Sequence, residues 1–225
     1  VLTLEQVLEI THAAGKPVSV DAAGQIYPLE NFGKYVKMGA DFQCIAAKYM
    51  GAPHSTGFAL GTKKVIDAIS RHSFVGYEGR RIRGIGRPQK IDRQEIMGVV
   101  AAVDRWLTIN HEDRLAYAEN QSQAILRPLQ GIPGVRAKIN TNIIGHQPFG
   151  VILSLDADIV GFSNDDLVKK LQNGDPSIWT RVSVDAPQIE IHVFGMRDGQ
   201  PELVVNAISS AVSYTHLTMP TNREV

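Results

Sequence analysis

The sequence has a single cysteine, Cys44, among its 225 residues. No internal disulfide can form and no multi-cysteine metal site exists, so a reducing, cytoplasmic setting fits best. Charge of one sign is also missing: 23 Lys and Arg balance 23 Asp and Glu, without a long block of either. That balance argues against a nucleic-acid partner, which calls for a clustered basic face. No apolar run approaches the roughly 20 residues that span a bilayer, and no charged-then-apolar leader opens the chain, so no membrane is expected. His12, His72, His111, His146 and His192 are scattered without the spacing of a metal site, and the expected metal content is none. Internal repeats and low-complexity segments are absent too. What is present is a hydrophobic content of 44%, ordinary for a globular chain and enough for one large domain or two small ones.

Both ends are unusual. The chain opens at Val1 and falls at once into Leu2, Leu4, Val7 and Leu8, which lie at helix-face spacings. It is expected to begin inside a domain. At the other end "SYTHLTMPTNREV" (213 to 225) has neither helical nor strand period. That string resembles the translated adapter tails of metagenomic fragments, and it is set aside as a non-native tail.

Between the ends, short strands alternate with helices. "VSV" closes on Asp21 and a small-residue loop, a helix-like "LENFGKYVKMG" follows, and a second strand runs from Asp41 to Ala47. "TGFALG" (56 to 61) reads as a third strand and "TKKVIDAISR" (62 to 71) as a helix. This alternation predicts an α/β unit with a mainly parallel sheet. From 72 to 90 the pattern breaks into a Gly-rich stretch with Arg80, Arg81, Arg83 and Arg87. It reads either as a solvated connector or as a functional loop. Its glycines lack the strand-before, helix-after context of a dinucleotide site. Residues 92 to 129 read as strongly helical, with an apolar stripe through Ile96, Val99, Val100, Val103, Trp106 and Leu107 and a second from Leu115 to Leu129. Strands are expected in 135–143, 150–157, 179–185 and 188–196. A helix capped by Ser163 and ended by Gly174 lies among them, and a last helix spans 202–212. The predicted division is therefore 1–90, an α/β unit; 91–212, a small α+β domain; and 213–225, the tail.

The chemistry concentrates at two strand ends. Ligands in open α/β sheets sit at the carboxyl ends of the strands, and Asp21 and Lys48 occupy such ends on successive strands. A lysine pressed out of the apolar run "FQCIAA" is costly to desolvate, and desolvation favours the neutral, nucleophilic amine. Such an amine forms a Schiff base with an aldehyde. The aldehyde cofactor that pairs a lysine with an aspartate at its pyridine nitrogen is pyridoxal phosphate. The Gly51–Pro53 turn lets the backbone bend beneath such a ring, and His54, Ser55 and Thr56 add polar groups. The blander readings are a surface lysine at a strand end, a helix-capping Asp21, a surface Arg181 on a strand, and a Cys44 that packs as a small apolar residue.

"VDAAGQ" followed by "AAKYMGAPHSTGFALG" resembles the paired cofactor motifs of fold-type-I pyridoxal-phosphate enzymes. Within them it is most similar to the selenocysteine synthase-like family that includes D-glucosaminate-6-phosphate ammonia-lyase. "GRPQKIDRQEIMGVVAAVDRW" and "GDPSIWTRV" resemble that family's passage from large to small domain and a segment late in its small domain. The resemblance covers most of residues 1 to 212. It implies the C-terminal part of a large domain with a mainly parallel sheet, over 1–90, and the small α+β domain over 91–212. The missing first part of the large domain would supply the phosphate loop and the residue stacked on the ring.

The same resemblance implies roles. Lys48 matches the lysine that holds the cofactor as an internal aldimine and moves protons at the substrate's α-carbon. Asp21 matches the aspartate at the pyridine nitrogen, Ala23 the small residue on the ring face, and Gln25 a residue placed to reach the ring hydroxyl. Ser55 and Thr56 would lie near a phosphate, that of a partner subunit included, because such sites are built at a dimer interface. Arg181 is the candidate for a substrate carboxylate. The implied activity is a lyase acting on an amino acid or amino-sugar acid as a homodimer or higher oligomer. A selenium transferase acting on seryl-tRNA is the alternative within enzymes. The neutral balance and the apolar Cys44–Ala47, where selenocysteine synthases usually carry a polar residue, count against it. A non-catalytic homologue is the alternative outside them.

Overall fold

The computed structural model describes residues 1–81, 83–141, 150–183 and 186–216. They form two compact units that divide between Ile109 and Asn110. The sequence places the division at 90, but helix α5 (Arg93–Thr108) packs with the first unit.

In the first unit, α1 (Leu4–Ala13) starts with a capping box in which the Thr3 side chain accepts from the Gln6 N–H and the Gln6 side chain from the Thr3 N–H. Its Leu8 is buried with Val18 and Ala40. Then follow β1 (Ser19–Asp21), the short α2 (Lys34–Lys37), β2 (Phe42–Ala46), a 3-10 turn Ala47–Met50, β3 (Gly57–Gly61), α3 (Lys63–His72) and α4 (Phe74–Arg80). The sheet order is β1-β2-β3. β1 runs parallel to β2 with Asp21 opposite Cys44, whereas β3 is antiparallel to β2 with Ala46 opposite Gly57. The mainly parallel expectation therefore holds for one pairing and not the other. A parallel return needs a crossover of a dozen or more residues, and the link between β2 and β3, residues 47–56, is shorter than that and holds only a 3-10 turn.

The segment 72–90, which reads as a connector or loop, contains α4. Ser73 caps it by accepting from the Gly76 N–H at 3.2 Å. The neighbouring glycines serve close approach: a side chain at Gly84 would meet the His72 Cα at 2.9 Å, and the Gly86 N–H donates to the His72 carbonyl at 2.9 Å. On α5 the expected apolar stripe splits. Trp106 is buried and donates its indole N–H to the Ile26 carbonyl at 2.9 Å, while Ile96, Val100 and Leu107 are exposed.

The expected long helix ends at Thr108, within the first unit, and a new one begins in the second. The Asn110 side chain accepts from the Glu112 and Asp113 N–H groups and so starts α6 (His111–Leu129). Next come β4 (Val135–Ile139), β5 (Gly150–Leu155), α7 (Ala157–Val160), α8 (Asn164–Gln172), β6 (Arg181–Val182), β7 (Ile189–His192) and α9 (Gln200–His216). Ser163 caps α8 as expected, within a capping box shared with Asp166, and Asn173 rather than Gly174 occupies its C-cap. The sheet order is β4-β5-β7-β6, with every pairing antiparallel. Ile125, Leu129, Leu153, Leu167, Ile189 and Ile208 are fully buried in its core, each contributing about 1.5–3 kcal/mol. Residues 213–216, the start of the expected tail, continue α9. Residues 217–225, and 142–143 and 184–185 of two expected strands, lie outside the described residues.

Candidate active site

Asp21 ends β1 and Lys48 follows the end of the adjacent parallel strand β2. Three backbone hydrogen bonds fix that rim. The Ala22 N–H donates to the Cys44 carbonyl at 3.3 Å, the Ala46 N–H to the Ala23 carbonyl at 3.1 Å, and the Ala47 N–H to the Thr56 carbonyl at 3.0 Å. The chain two residues before Lys48 is thus bound to the turn two residues after Asp21. Gly51, at φ +96°, then reverses the chain out of the 3-10 turn, a backbone conformation that favours glycine.

Lys48 is exposed, not desolvated as the apolar run before it suggests, because the 3-10 turn buries Ala47 and Met50 and carries Lys48 out between them. Its ammonium lies 5.2 Å from the centre of the Tyr49 ring, and no carboxylate forms an ion pair with it among the described residues. Asp21 is exposed as well, and its Oδ1 accepts from the Ala23 N–H at 3.1 Å. Paired residues of a sheet point to one face, so the registers place Ser19, Asp21, Phe42, Cys44, Ala46, Gly57, Ala59 and Gly61 together. The opposite face carries Val20, Ile45, Phe58 and Leu60, which pack into the core. The Asp21 face is therefore built almost wholly from small side chains. That floor, an acid at its edge and an amine without a carboxylate partner fit a flat, protonated aromatic aldehyde.

The other expected residues divide. Ala23 is half-buried in the turn beside Asp21. Gln25 accepts a hydrogen bond at its Oε1 from the Tyr35 hydroxyl, which ties it to α2. Ser55 donates to the Glu95 carboxylate of α5 at 2.7 Å, and Thr56 donates to the Pro53 carbonyl at 2.6 Å. Both hydroxyl protons thus serve this chain's own acceptors. The two residues line a groove of about 680 Å³ with Lys90, Glu95, Ile96 and Val100. Arg181 opens β6, its backbone opposite Glu190; its side chain lies outside the described residues.

Sequence reasoning missed three participants. Glu95 and Gly98 of α5 clasp the turn after Lys48: Gly98 lies so close that a Cβ there would meet the Pro53 Cδ at 2.9 Å. Neither carries a local signal, since both act across some 40 residues. The third is Cys44, read as an apolar packing residue. It is half-buried, and its thiol donates to Asp21 Oδ1 at 3.4 Å. Strand alternation did contain that signal, because Cys44 and Asp21 occupy matching positions of two parallel strands. Burial first, and the Asp21 carboxylate after it, push the Cys44 thiol up, against an opposing pull from the Ala22 backbone.

No family model matches the chain. The sequence is similar to a 5'-C-glycyluridine monooxygenase-decarboxylase from Streptomyces sp., with 27% identity over 223 residues, 98% of this chain and 52% of the relative. It is also similar to a D-glucosaminate-6-phosphate ammonia lyase from Salmonella typhimurium (strain 14028s / SGSC 2262), with 25% identity over 181 residues, 80% of this chain and 44% of the relative. The chain thus spans about half the length of the curated relatives it matches. A solved structure of D-glucosaminate-6-phosphate ammonia-lyase superposes with a TM-score of 0.69 at 22% identity, covering 96% of this chain and 54% of that one. The fold is that of the fold-type-I pyridoxal-phosphate enzymes. Among the described residues no helix is long and apolar enough to cross a membrane, and no group of three His, Cys, Asp or Glu is placed to hold a metal ion.

Proposed function

We propose that the protein serves a pyridoxal-phosphate-dependent lyase that acts on an amino acid or amino-sugar acid and releases ammonia. The observation that carries this reading is the placement of Asp21 and Lys48 at the carboxyl ends of two hydrogen-bonded parallel strands, beside a floor of small residues. When bound, the cofactor supplies an electron sink for the charge left at the substrate's α-carbon. Everything else falls to the protein. Lys48 would hold the cofactor's aldehyde carbon, give up that bond when the substrate's amine takes its place, and then take the α-proton with the amine so freed. Asp21 would accept a hydrogen bond from the ring nitrogen and keep it protonated. Ala23 would leave room against the ring face, and Arg181 would hold the substrate carboxylate. Departure of the α-proton and a β-hydroxyl as water leaves an imine, which takes up water to give ammonia and a keto acid. The likeness to the Salmonella ammonia lyase supports the release of ammonia. Assembly as a homodimer and a cytoplasmic site of action belong to the same reading.

In the full-length parent, bound pyridoxal phosphate should give its near-visible absorbance, and Lys48→Ala should abolish it together with the activity. A parent that stays colourless with added cofactor sinks the reading, and so does one whose activity survives Lys48→Ala, the behaviour of a non-catalytic homologue. The Streptomyces relative, matched over 98% of this chain, supports a second reading, loss of the substrate carboxyl with uptake of oxygen. Product analysis separates the two, since ammonia without oxygen consumption or carbon dioxide belongs to the lyase alone.

A further inference from the structure

Two donors converge on one oxygen of Asp21. The Ala23 N–H reaches Oδ1 at 3.1 Å and the Cys44 Sγ at 3.4 Å, while Oδ2 takes no hydrogen bond or ion pair among the described residues. The thiol has one proton and one other acceptor in reach, the Val20 carbonyl at 3.8 Å. A carboxylate at the shorter distance is the stronger acceptor. Asp21 and Cys44 stand opposite each other on adjacent parallel strands, with their Cα atoms about 5 Å apart across the sheet. At that spacing a donor at the γ position reaches the carboxylate, whereas alanine offers none and a longer side chain would cover the floor that the ring needs.

We propose that Cys44 is a positioning residue: its thiol and the Ala23 amide pin Oδ1 of Asp21, and so turn Oδ2 outward as the acceptor for a protonated heteroaromatic nitrogen. That the nitrogen belongs to pyridoxal phosphate rests on the function proposed above. The pinned carboxylate itself does not.

The test has an arm without cofactor. Cys44 is the only cysteine of this chain, and iodoacetamide reacts with the thiolate. Asp21 disfavours that thiolate, so Asp21→Asn should raise the alkylation rate at pH 8 by about 3- to 10-fold, one unit of thiol pKa being tenfold. Asp21 is exposed, so the substitution leaves the core intact. Ser19→Ala, on the same face of the same strand, should leave the rate unchanged. An unchanged rate in Asp21→Asn, or an equal rise in both variants, overturns the proposal. The second arm uses the full-length parent loaded with pyridoxal phosphate. Cys44→Ala should weaken retention of the cofactor on dialysis about 3- to 10-fold, and Cys44→Ser, which keeps a γ donor, should restore most of it. Equal losses in both, or none in either, overturn the positioning role. A colourless wild-type parent would defeat the cofactor reading alone, because the alkylation arm still decides whether the thiol and the carboxylate are joined.

Discussion

Each unit has a sheet with one packed face, and the two remaining faces differ in kind. In the second unit that face carries Arg136, Lys138, Ser154, Glu190 and His192 beside Ile152, the long polar side chains of a sheet that meets water. In the first unit it carries Ser19, Asp21, Cys44, Ala46, Gly57, Ala59 and Gly61, which are short and bear a single charge, with Phe42 as the one large side chain. The cores differ in the same sense. One continuous cluster from Ile125 to Val212 fills the second unit. The first has a cluster around Ile26, Ile45, Met50 and Trp106 and a separate one around Leu8, Val18 and Ala40. The contrast teaches that the second unit spends its residues on its own stability, while the first keeps a face of mostly small side chains clear beside Asp21.

The contrast can be broken by substitution. The largest expected effect is Leu153→Ala in the second unit, where the side chain is fully buried. Urea denaturation should show a loss of about 2–5 kcal/mol, whereas Val100→Ala in the first unit, 57% exposed, should stay within about 0.5 kcal/mol. Next comes a matched pair on the two open faces. Ala46→Leu should lower retention of pyridoxal phosphate by the full-length parent about tenfold, equivalent to about 1.4 kcal/mol, because it fills the floor beside Asp21. Ser154→Leu, on the solvated face, should leave retention as it was; equal effects would erase the distinction. Third is Gly98→Ala. Alanine favours the helix by about 1 kcal/mol, but a Cβ at 2.9 Å from Pro53 overpacks at a cost of about 1–3 kcal/mol. A net loss near 1 kcal/mol, with weaker Lys48-dependent absorbance in the parent, would show that α5 holds the turn that follows Lys48.

Much of this site was legible in the sequence, and the reason is local. Asp21 and Lys48 stand where apolar strands stop at small-residue turns, so period and punctuation locate both. Ser163 as a cap and the last helix were readable on the same grounds. What was not legible depends on contacts distant in sequence. The direction of β3 follows from how the Lys48 turn folds back, the path of the chain after α4 from Gly84 and Gly86 packed against His72, and the packing of α5 with the first unit from Trp106 meeting Ile26. The exposure of Lys48 was hidden too, since an apolar run predicts burial along a strand but says nothing of a 3-10 turn that ends it. Ser55 and Thr56 were singled out by resemblance, yet their hydroxyl partners, Glu95 and Pro53, lie outside the motif or within its backbone.

The smallest expected effect concerns how the first unit is tied together away from its chemistry. Asp41 Oδ2 accepts from the Val18 N–H at 2.9 Å and lies 3.1 Å from His12 Nε2, which joins α1 to the start of the sheet. The Val18 amide foremost, and the His12 side chain next, hold the Asp41 carboxyl below its ordinary value of 3.8. A carboxyl lowered in the folded state lends stability that is fully present above that ordinary value and is lost as pH falls through the lowered one. Asp41→Asn keeps an oxygen for the Val18 amide but loses the charge, so it resembles the protonated wild type. Urea midpoints of the two proteins should therefore differ at pH 7, with the wild type more stable, and converge below about pH 4. Because the pair is partly exposed, the gap at pH 7 should be under about 1 kcal/mol. Asp67 and Asp166 are lowered as well and give both proteins a shared acid sensitivity, so the readout is the difference between the two curves. Curves that run parallel from pH 7 to pH 3 would mean that the carboxylate's charge does not help hold α1 to the sheet, and that apolar contacts such as Leu8 on Val18 suffice there.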